Sequence, residues 1–232
     1  MSIVAGRSLQ LPDDRVVRTL ESGALDGAPV LVFHPTPSSR LFVRQYAEAA
    51  LRTGTRLVGF SRPGSGGSTM TTPGLRVVAE DALRAADAAG VDRFAVLGFS
   101  GGTPFAAATA ALSPDRVRAV GLCAAVAPLP LDDANGLAAE KRHAADLLAL
   151  DDAALASALV EEARAEDAPY LDGALVASQV VTLRDAFDDE DGGGGSPTYD
   201  TLDFDYGAFA PPWDVDVTTL RAPAWIWQGS RD

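Results

Sequence analysis

Apolar and polar positions along the chain follow two alternating patterns. Short, nearly continuous apolar runs are separated by longer stretches with helical spacing, which is typical of a parallel sheet with crossover helices. Strands are predicted at residues 15–22, 29–34, 56–60, 93–99 and 116–125, and helices at 39–54, 76–90 and 101–112. These elements predict the α/β class, with a mostly parallel twisted sheet flanked by helices.

The pattern changes after residue 128. Residues 129 to about 216 are helical in spacing and acidic, and a strand-like apolar run returns at 222–229. A helical block between two strands of such a sheet indicates a lid over a pocket; the alternative is a helical excursion that covers nothing. We therefore divide the chain into the first part of the core at 1–128, a helical acidic lid at 129–216 and a core continuation at 217–232. The stretch DDEDGGGGSP at 188–197 is predicted to be a flexible loop.

Charge is distributed unevenly between these parts. The chain carries a net charge of −13, and residues 129–232 hold 22 acidic side chains against 6 basic ones. An acidic surface repels nucleic acids and anionic membranes, so neither is an expected partner. The sequence has no apolar run of 18 residues, no leader-like N-terminus and a single cysteine, Cys123. These features predict a cytoplasmic protein.

The pentapeptide GFSGG at residues 98–102 carries the clearest chemical signal. It fits G-x-S-x-G, and it follows a predicted strand and opens a predicted helix. In a nucleophile elbow of this kind the serine occupies a strained turn, and small neighbours let strand and helix approach closely. Ser100 is therefore the candidate nucleophile, supported by Gly98 and Gly102.

A second glycine-rich stretch, SRPGSGGS at 61–68, does not predict a nucleotide site. It lacks the lysine of a P-loop and the G-x-G-x-x-G spacing. Histidines and the cysteine show no metal-ligand spacing, so no metal is predicted.

Four segments together resemble the α/β-hydrolase family, specifically its lidded, esterase-like members. They are VLVFHPTPSSR, LVGFSRPGSGGST, FAVLGFSGGTPFA and IWQGSRD, and they follow the order and spacing of that family over nearly the whole chain outside the lid. The resemblance implies a serine hydrolase that acts on a small carboxylic ester or related acyl substrate, with no organic cofactor. A serine nucleophile argues against dehalogenase or epoxide hydrolase chemistry, for which the family uses aspartate.

The resemblance also implies an oxyanion hole. One donor is the backbone N–H of Gly101, the residue after the nucleophile. The second comes from the loop after the strand at 29–34, where the family usually has His-Gly-x-Pro and this chain has His34-Pro35-Thr36-Pro37. Proline has no N–H, so Thr36 is the expected donor. His34 is expected to be structural.

Asp232 occupies the position of the family's triad acid, at the end of Gly-x-x-Asp after a late strand. The triad order then places the histidine in a later loop, but the sequence contains only His34 and His143. His143 is predicted on a lid helix, facing solvent. We therefore expect an incomplete copy of a hydrolase, without its last strand and helix, that is inactive or weakly active. The alternatives are a non-catalytic pseudo-hydrolase that binds a small apolar ligand and a peptidase of the same fold.

Overall fold

A computed structural model of the chain describes residues 6–128, 134–165, 173–187 and 199–229. Seven strands form one sheet in the order β1-β2-β4-β3-β5-β6-β7. The strands are β1 (Arg7–Gln10), β2 (Val16–Gly23), β3 (Ala28–Phe33), β4 (Thr55–Phe60), β5 (Phe94–Phe99), β6 (Val117–Cys123) and β7 (Ala224–Trp227). Strand β2 pairs antiparallel with both β1 and β4, and the remaining pairs are parallel. The predicted fold class is confirmed.

The described residues also form seven helices. They are α1 (Ala47–Thr53), α2 (Leu75–Ala88), α3 (Thr103–Leu112), α4 (Ala134–Leu148), α5 (Asp152–Ala165), α6 (Gly173–Ala186) and α7 (Asp200–Phe209). Within the described residues, no helix is long and apolar enough to cross a membrane.

The centre of the sheet forms where apolar side chains cover both faces. In β3 the consecutive residues Leu31, Val32 and Phe33 are all buried, as expected for a strand between two parallel neighbours. Helix α2 buries Leu75, Val78 and other residues at helical spacing against this core. The carboxyl ends of β3 and β5 are therefore held side by side, with Phe33 paired to Gly98.

Helices α4 to α7 lie in the chain between β6 and β7. They pack partly on one another, through small clusters that include Phe187 and Leu202. Helix α7 also joins the main core, where Phe204 and Phe209 pack beside Phe105 of α3. This docking brings the acidic helical segment against the carboxyl edge of the sheet.

The structure differs from the sequence prediction in two local features. The predicted helix at 39–54 begins as a 3₁₀ segment, Arg40–Tyr46, before α1. Strand β1 was not predicted, because its four residues, RSLQ, have no apolar run. Strand β7 lies within the predicted run at 222–229, at the sheet edge, with Trp225, Ile226 and Trp227 each more than half exposed.

Some predictions fall where the structure does not test them. The predicted loop at 188–197 and the boundary at 128/129 lie at or beyond the limits of the described residues. The division into 1–128, 129–216 and 217–232, and the role of the helical segment as a lid, stay predictions.

Candidate active site

Ser100 lies in the sharp turn between β5 and α3. Its φ of 46° is in the left-handed region, which a non-glycine residue adopts only when its surroundings hold it there. A single 3₁₀ turn, Ser100–Gly102, connects the strand to the helix. The partly exposed Ser100 side chain therefore stands at the carboxyl edge of the sheet, at the start of a helix.

The glycines around Ser100 are required by close packing. A Cβ on Gly98 would lie 2.8 Å from the Cα of Thr103, and one on Gly102 would overlap the carbonyl oxygen of Phe33. Thr103 also ties the turn in place: its hydroxyl donates to the Ser100 carbonyl at 2.7 Å and accepts from the N–H of Val126 at 3.0 Å. The turn is thus held by the end of β3 on one side and by the segment that follows β6 on the other.

The loop after β3 meets this turn directly. The Thr36 hydroxyl packs against the Cα of Gly101 so closely that a Cβ on Gly101 would overlap it. The N–H of Gly101 belongs to the 3₁₀ turn that leads into α3, where backbone N–H groups have no acceptor within the helix. The structure therefore brings together the two residues predicted to form an oxyanion hole.

His34 is buried at the end of β3, and both of its ring nitrogens are engaged. Nε2 accepts from the N–H of Arg62 at 3.2 Å, so Nδ1 carries the proton and donates to the Pro35 carbonyl at 2.8 Å. Burial, and after it the nearby Arg62 cation, lower the pKa of His34 well below its ordinary value. The ring is neutral and serves to connect two loops.

A buried ion pair that the sequence analysis did not identify lies behind these loops. Arg62 and Asp205 are both buried, and Arg62 Nε donates to Asp205 Oδ1 at 2.8 Å. Arg62 also donates to the carbonyls of His34 and Pro35, and the Thr36 hydroxyl donates to Asp205. The stretch around Arg62, SRPGSGGS, predicts a tight structural loop at the rim of the pocket, but no residue near Asp205 in the sequence marks it as the partner of Arg62.

A cavity of about 330 Å³ lies between the β3 loop and the helical segment. Its core side includes Pro35, Pro37 and Phe42, and the Phe42 ring contacts that of Phe99, the neighbour of Ser100. Its helical side includes Glu140, His143 and Glu162, and no lysine or arginine among the described residues lines it. The cavity is thus largely apolar, with two carboxylates on its helical side, and it reaches the loop residues on either side of Thr36 but is not lined by Ser100 itself.

A family model described as the alpha/beta hydrolase fold matches residues 28–188 of the chain. The chain belongs to this family. The match spans more than half of the sequence and includes β3, β5, the Ser100 turn and the first part of the helical segment. A comparison with curated proteins gives no match.

Two solved structures show the same α/β-hydrolase architecture. One is a carboxylesterase of the ammonia-oxidizing thaumarchaeon Nitrososphaera gargenis, with a TM-score of 0.68 and 18% identity over 97% of this chain and 80% of that one. The other is a hydrolase from Pseudomonas aeruginosa PA01, with a TM-score of 0.65 and 19% identity over the same shares of the two chains. At these identities the similarity shows the fold alone.

In an α/β-hydrolase the triad acid follows a late strand, and β7 is such a strand. Phe99, Cys123 and Trp227 form one row across the parallel strands β5, β6 and β7. Ser100 comes one residue after this row, and Asp232 five residues after it. Asp232 itself lies outside the described residues, so its role as the acid stays a prediction.

The side chain of His143 is half exposed, in keeping with its predicted solvent-facing position on a helix. It also lines the cavity, where Nε2 lies 3.2 Å from Glu162 Oε1. Helical periodicity predicts that residue 143 is on a helix, but which side of the helix faces a cavity depends on how the helices pack. Among the described residues, no group of three or more His, Cys, Asp or Glu side chains could hold a metal ion.

Proposed function

We propose that this α/β-hydrolase is a serine hydrolase that cleaves a small carboxylic ester or a related acyl substrate. The observation that carries the proposal is the left-handed Ser100 in a strand–helix turn, with Thr36 packed against Gly101 beside it. A nucleophile and two candidate oxyanion donors at one sheet edge are the parts that acyl transfer requires.

The reaction assigns one role to each residue. Ser100 Oγ attacks the carbonyl carbon and loses its proton to a base, while the N–H groups of Gly101 and Thr36 stabilise the oxyanion. The tetrahedral intermediate expels the alcohol and leaves an acyl-enzyme, which water then hydrolyses. Asp232 orients the histidine that acts as base.

We assign neither histidine of these 232 residues as that base. His34 is buried with both nitrogens bonded, and His143 pairs with Glu162 on the cavity wall. In a serine protease, loss of the base costs about 10⁶-fold in turnover and leaves roughly 10³–10⁴-fold over water. We therefore expect weak turnover from this chain, with single-turnover acylation of Ser100 as the measurable step.

A cytoplasmic location stays a prediction from composition.

The cavity supports a choice of substrate. Its volume suits a small acyl group, and its proline and aromatic side suits an apolar one. Glu140 and Glu162 disfavour an anionic group on the helical side, since like charges repel. Neutral or cationic short-chain esters are the preferred candidates.

A peptidase is the second candidate, and one observation favours it. The sequence shows no obvious acidic pair for binding a free amine, but the structure brings Glu140 and Glu162 to the same cavity wall. Acylation by an alanine 4-nitroanilide with a free amino group, compared with its N-acetylated form and with 4-nitrophenyl butyrate, separates the two. A faster reaction with the free-amine anilide than with both others favours the peptidase.

The nucleophile is tested with an alkyl fluorophosphonate, in which the serine oxygen displaces fluoride from phosphorus. We expect slow labelling at Ser100, located by peptide mass analysis, and no labelling of Ser100→Ala. The matched control is Ser113→Ala, at the end of α3, which should be labelled like the unaltered chain. Equal labelling of Ser100→Ala would remove Ser100 as the nucleophile and overturn the proposed function.

A further inference from the structure

Among the residues that the structure describes, Asp205 is the buried carboxylate of the helical segment that contacts the predicted oxyanion loop. It lies on α7 and is fully buried, 169 residues along the chain from Thr36. A charge in that position has a high desolvation cost unless strong partners meet it. The groups that hydrogen-bond to the Asp205 carboxylate therefore indicate its role.

Both oxygens of the Asp205 carboxylate are engaged. Oδ1 accepts from Arg62 Nε at 2.8 Å, and Oδ2 accepts from Arg62 Nη2 and from the Thr36 hydroxyl at 2.5 Å each. Hydrogen bonds to an ionised group are stronger than neutral ones, and two bonds to one guanidinium also fix its orientation. Asp205 thus holds Arg62 and the Thr36 side chain in one arrangement.

Arg62 transmits this arrangement to the backbone of the loop. Its Nη2 donates to the Pro35 carbonyl at 3.2 Å and to the Thr36 hydroxyl at 3.1 Å, and its Nη1 donates to the His34 carbonyl. The Pro35 carbonyl also accepts from His34 Nδ1. Two donors therefore fix the direction of the Pro35 carbonyl.

The direction of that carbonyl determines the direction of the Thr36 N–H. The peptide bond between Pro35 and Thr36 is trans, so its N–H and C=O point to opposite sides. Because the carbonyl points to Arg62, the N–H of Thr36 points away from the buried ion pair. The Thr36 side chain is held against Gly101 at the same time.

We propose that Asp205 is a positioning residue for the oxyanion hole, which acts through Arg62 and the Thr36 hydroxyl to orient the Thr36 N–H beside Gly101. The inference rests on the proposed function, in which that N–H is one of the two donors. It also gives the helical segment a part in catalysis, because α7 supplies the carboxylate that orders a loop of the core.

The test measures the second-order rate of fluorophosphonate labelling at Ser100, since the phosphonyl oxygen takes the place of the oxyanion. Asp205→Asn removes the charge, and Thr36→Val removes the hydroxyl with little change in shape. We expect each to slow labelling by about 10- to 100-fold, below the roughly 10²–10³-fold cost of removing an oxyanion donor outright. Thr36→Ser restores the hydroxyl and should label within about threefold of the unaltered chain.

The matched control is Asp185→Asn. Asp185 of α6 pairs with Arg40 at 2.9 Å and is also largely buried, but the other hydrogen bonds of Arg40 go to Ser61 and Gly66 rather than to residues 34–36. Removing this charge weakens another tie between helical segment and core, so a general loosening would slow labelling in this variant as well. We expect its labelling rate to stay within about twofold of the unaltered chain.

Circular dichroism at the labelling temperature establishes that each variant is folded. If Asp205→Asn does not fold, the labelling rates of Thr36→Val and Thr36→Ser are compared instead, because Thr36→Val leaves the ion pair of Arg62 and Asp205 intact. The inference is overturned if a folded Asp205→Asn or Thr36→Val variant is labelled at an unchanged rate. It is also overturned if Asp185→Asn slows labelling as much as Asp205→Asn does. In either case, labelling at Ser100 still supports the proposed function. Labelling that persists in Ser100→Ala overturns the proposed function instead.

Discussion

At the scale of single residues, His34 shows how a buried titratable group links the site to stability. The ring is neutral in the folded chain, since burial lowers its pKa well below 6.5. An unfolded chain has an ordinary histidine that takes up a proton as the pH falls through about 6.5. The unfolded state then binds more protons than the folded state, so acid favours unfolding.

We therefore expect the free energy of unfolding to fall as the pH drops from 7.5 to 5.5. The slope from His34 approaches about 1.4 kcal/mol per pH unit below pH 6.5 and is absent above it. Urea unfolding at pH 7.5, 6.5 and 5.5 measures this slope, and His34→Gln should flatten it, whatever its stability at pH 7.5. The same slope in both proteins would show that His34 does not titrate on unfolding.

The residues of the site differ in how well the sequence predicts them. Ser100 is predictable because its signal is local: a strand, a turn with glycines and a helix within about 20 residues. Asp205 is not, because it is one of 22 acidic residues in 129–232 and nothing near it in sequence marks it. Its partner Arg62 lies 143 residues away, so only the folded chain identifies the pair.

At the scale of elements, helix α2 begins with a cap supplied from far along the chain. The residue at its N-cap position is Gly74, which has no side chain to accept a hydrogen bond. Asp214 Oδ1 accepts from the N–H of Leu75 at 2.9 Å and of Arg76 at 3.2 Å. A carboxylate at this position accepts hydrogen bonds from two backbone N–H groups that have no partner within the helix, and its negative charge is attracted to the positive end of the helix dipole.

Asp214→Ala should lower the free energy of unfolding by about 1 kcal/mol, the usual value of a helix N-cap. Asp214→Asn keeps an acceptor and should lose less. Chemical denaturation provides the measurement, with the exposed Asp115→Ala as a control that should change the value by less than about 0.5 kcal/mol. A loss in the control as large as that in Asp214→Ala would remove the cap as the cause.

The strands were predicted more closely than the helices at the site. A buried parallel strand such as β3 is a short apolar run, and the sequence reports it directly. Residues 40–46 have helical spacing but form a 3₁₀ segment, because the N–H of Leu41 bonds to the Ser39 side chain and that of Phe42 to the Ser39 carbonyl. Capping of this kind depends on how the preceding loop is held.

At the scale of the whole molecule, the uneven charge of the chain becomes a property of the cavity. The acidic half supplies helices α4 and α5, and with them Glu140 and Glu162 on the cavity wall. The sequence predicts that the net charge of this half is negative, but not which acidic side chains face the cavity, since that depends on helix packing. The choice between substrates follows from those two positions.

Replacing both acids, in Glu140→Gln/Glu162→Gln, should raise the acylation rate with 4-nitrophenyl hemisuccinate relative to the neutral 4-nitrophenyl butyrate. Partly exposed charges are worth about 0.2–1 kcal/mol each, so we expect roughly a two- to tenfold change in the ratio, reduced in 1 M salt. Glu48→Gln, at an exposed side chain of α1 outside the cavity lining, removes one negative charge in the same way. A similar gain from Glu48→Gln would show that net charge alone is responsible.

The Arg62–Asp205 pair also sets an order of events during synthesis on the ribosome. Residues 1–128 emerge first, and they contain the nucleophile turn, the Thr36 loop and Arg62. Arg62 cannot be buried at low cost before Asp205 has been made, 143 residues later. The nascent chain therefore carries Ser100 well before the Thr36 loop can close around the guanidinium. If Asp205 has the proposed positioning role, we expect the reactivity of Ser100 to reach its full level only after α7 has docked.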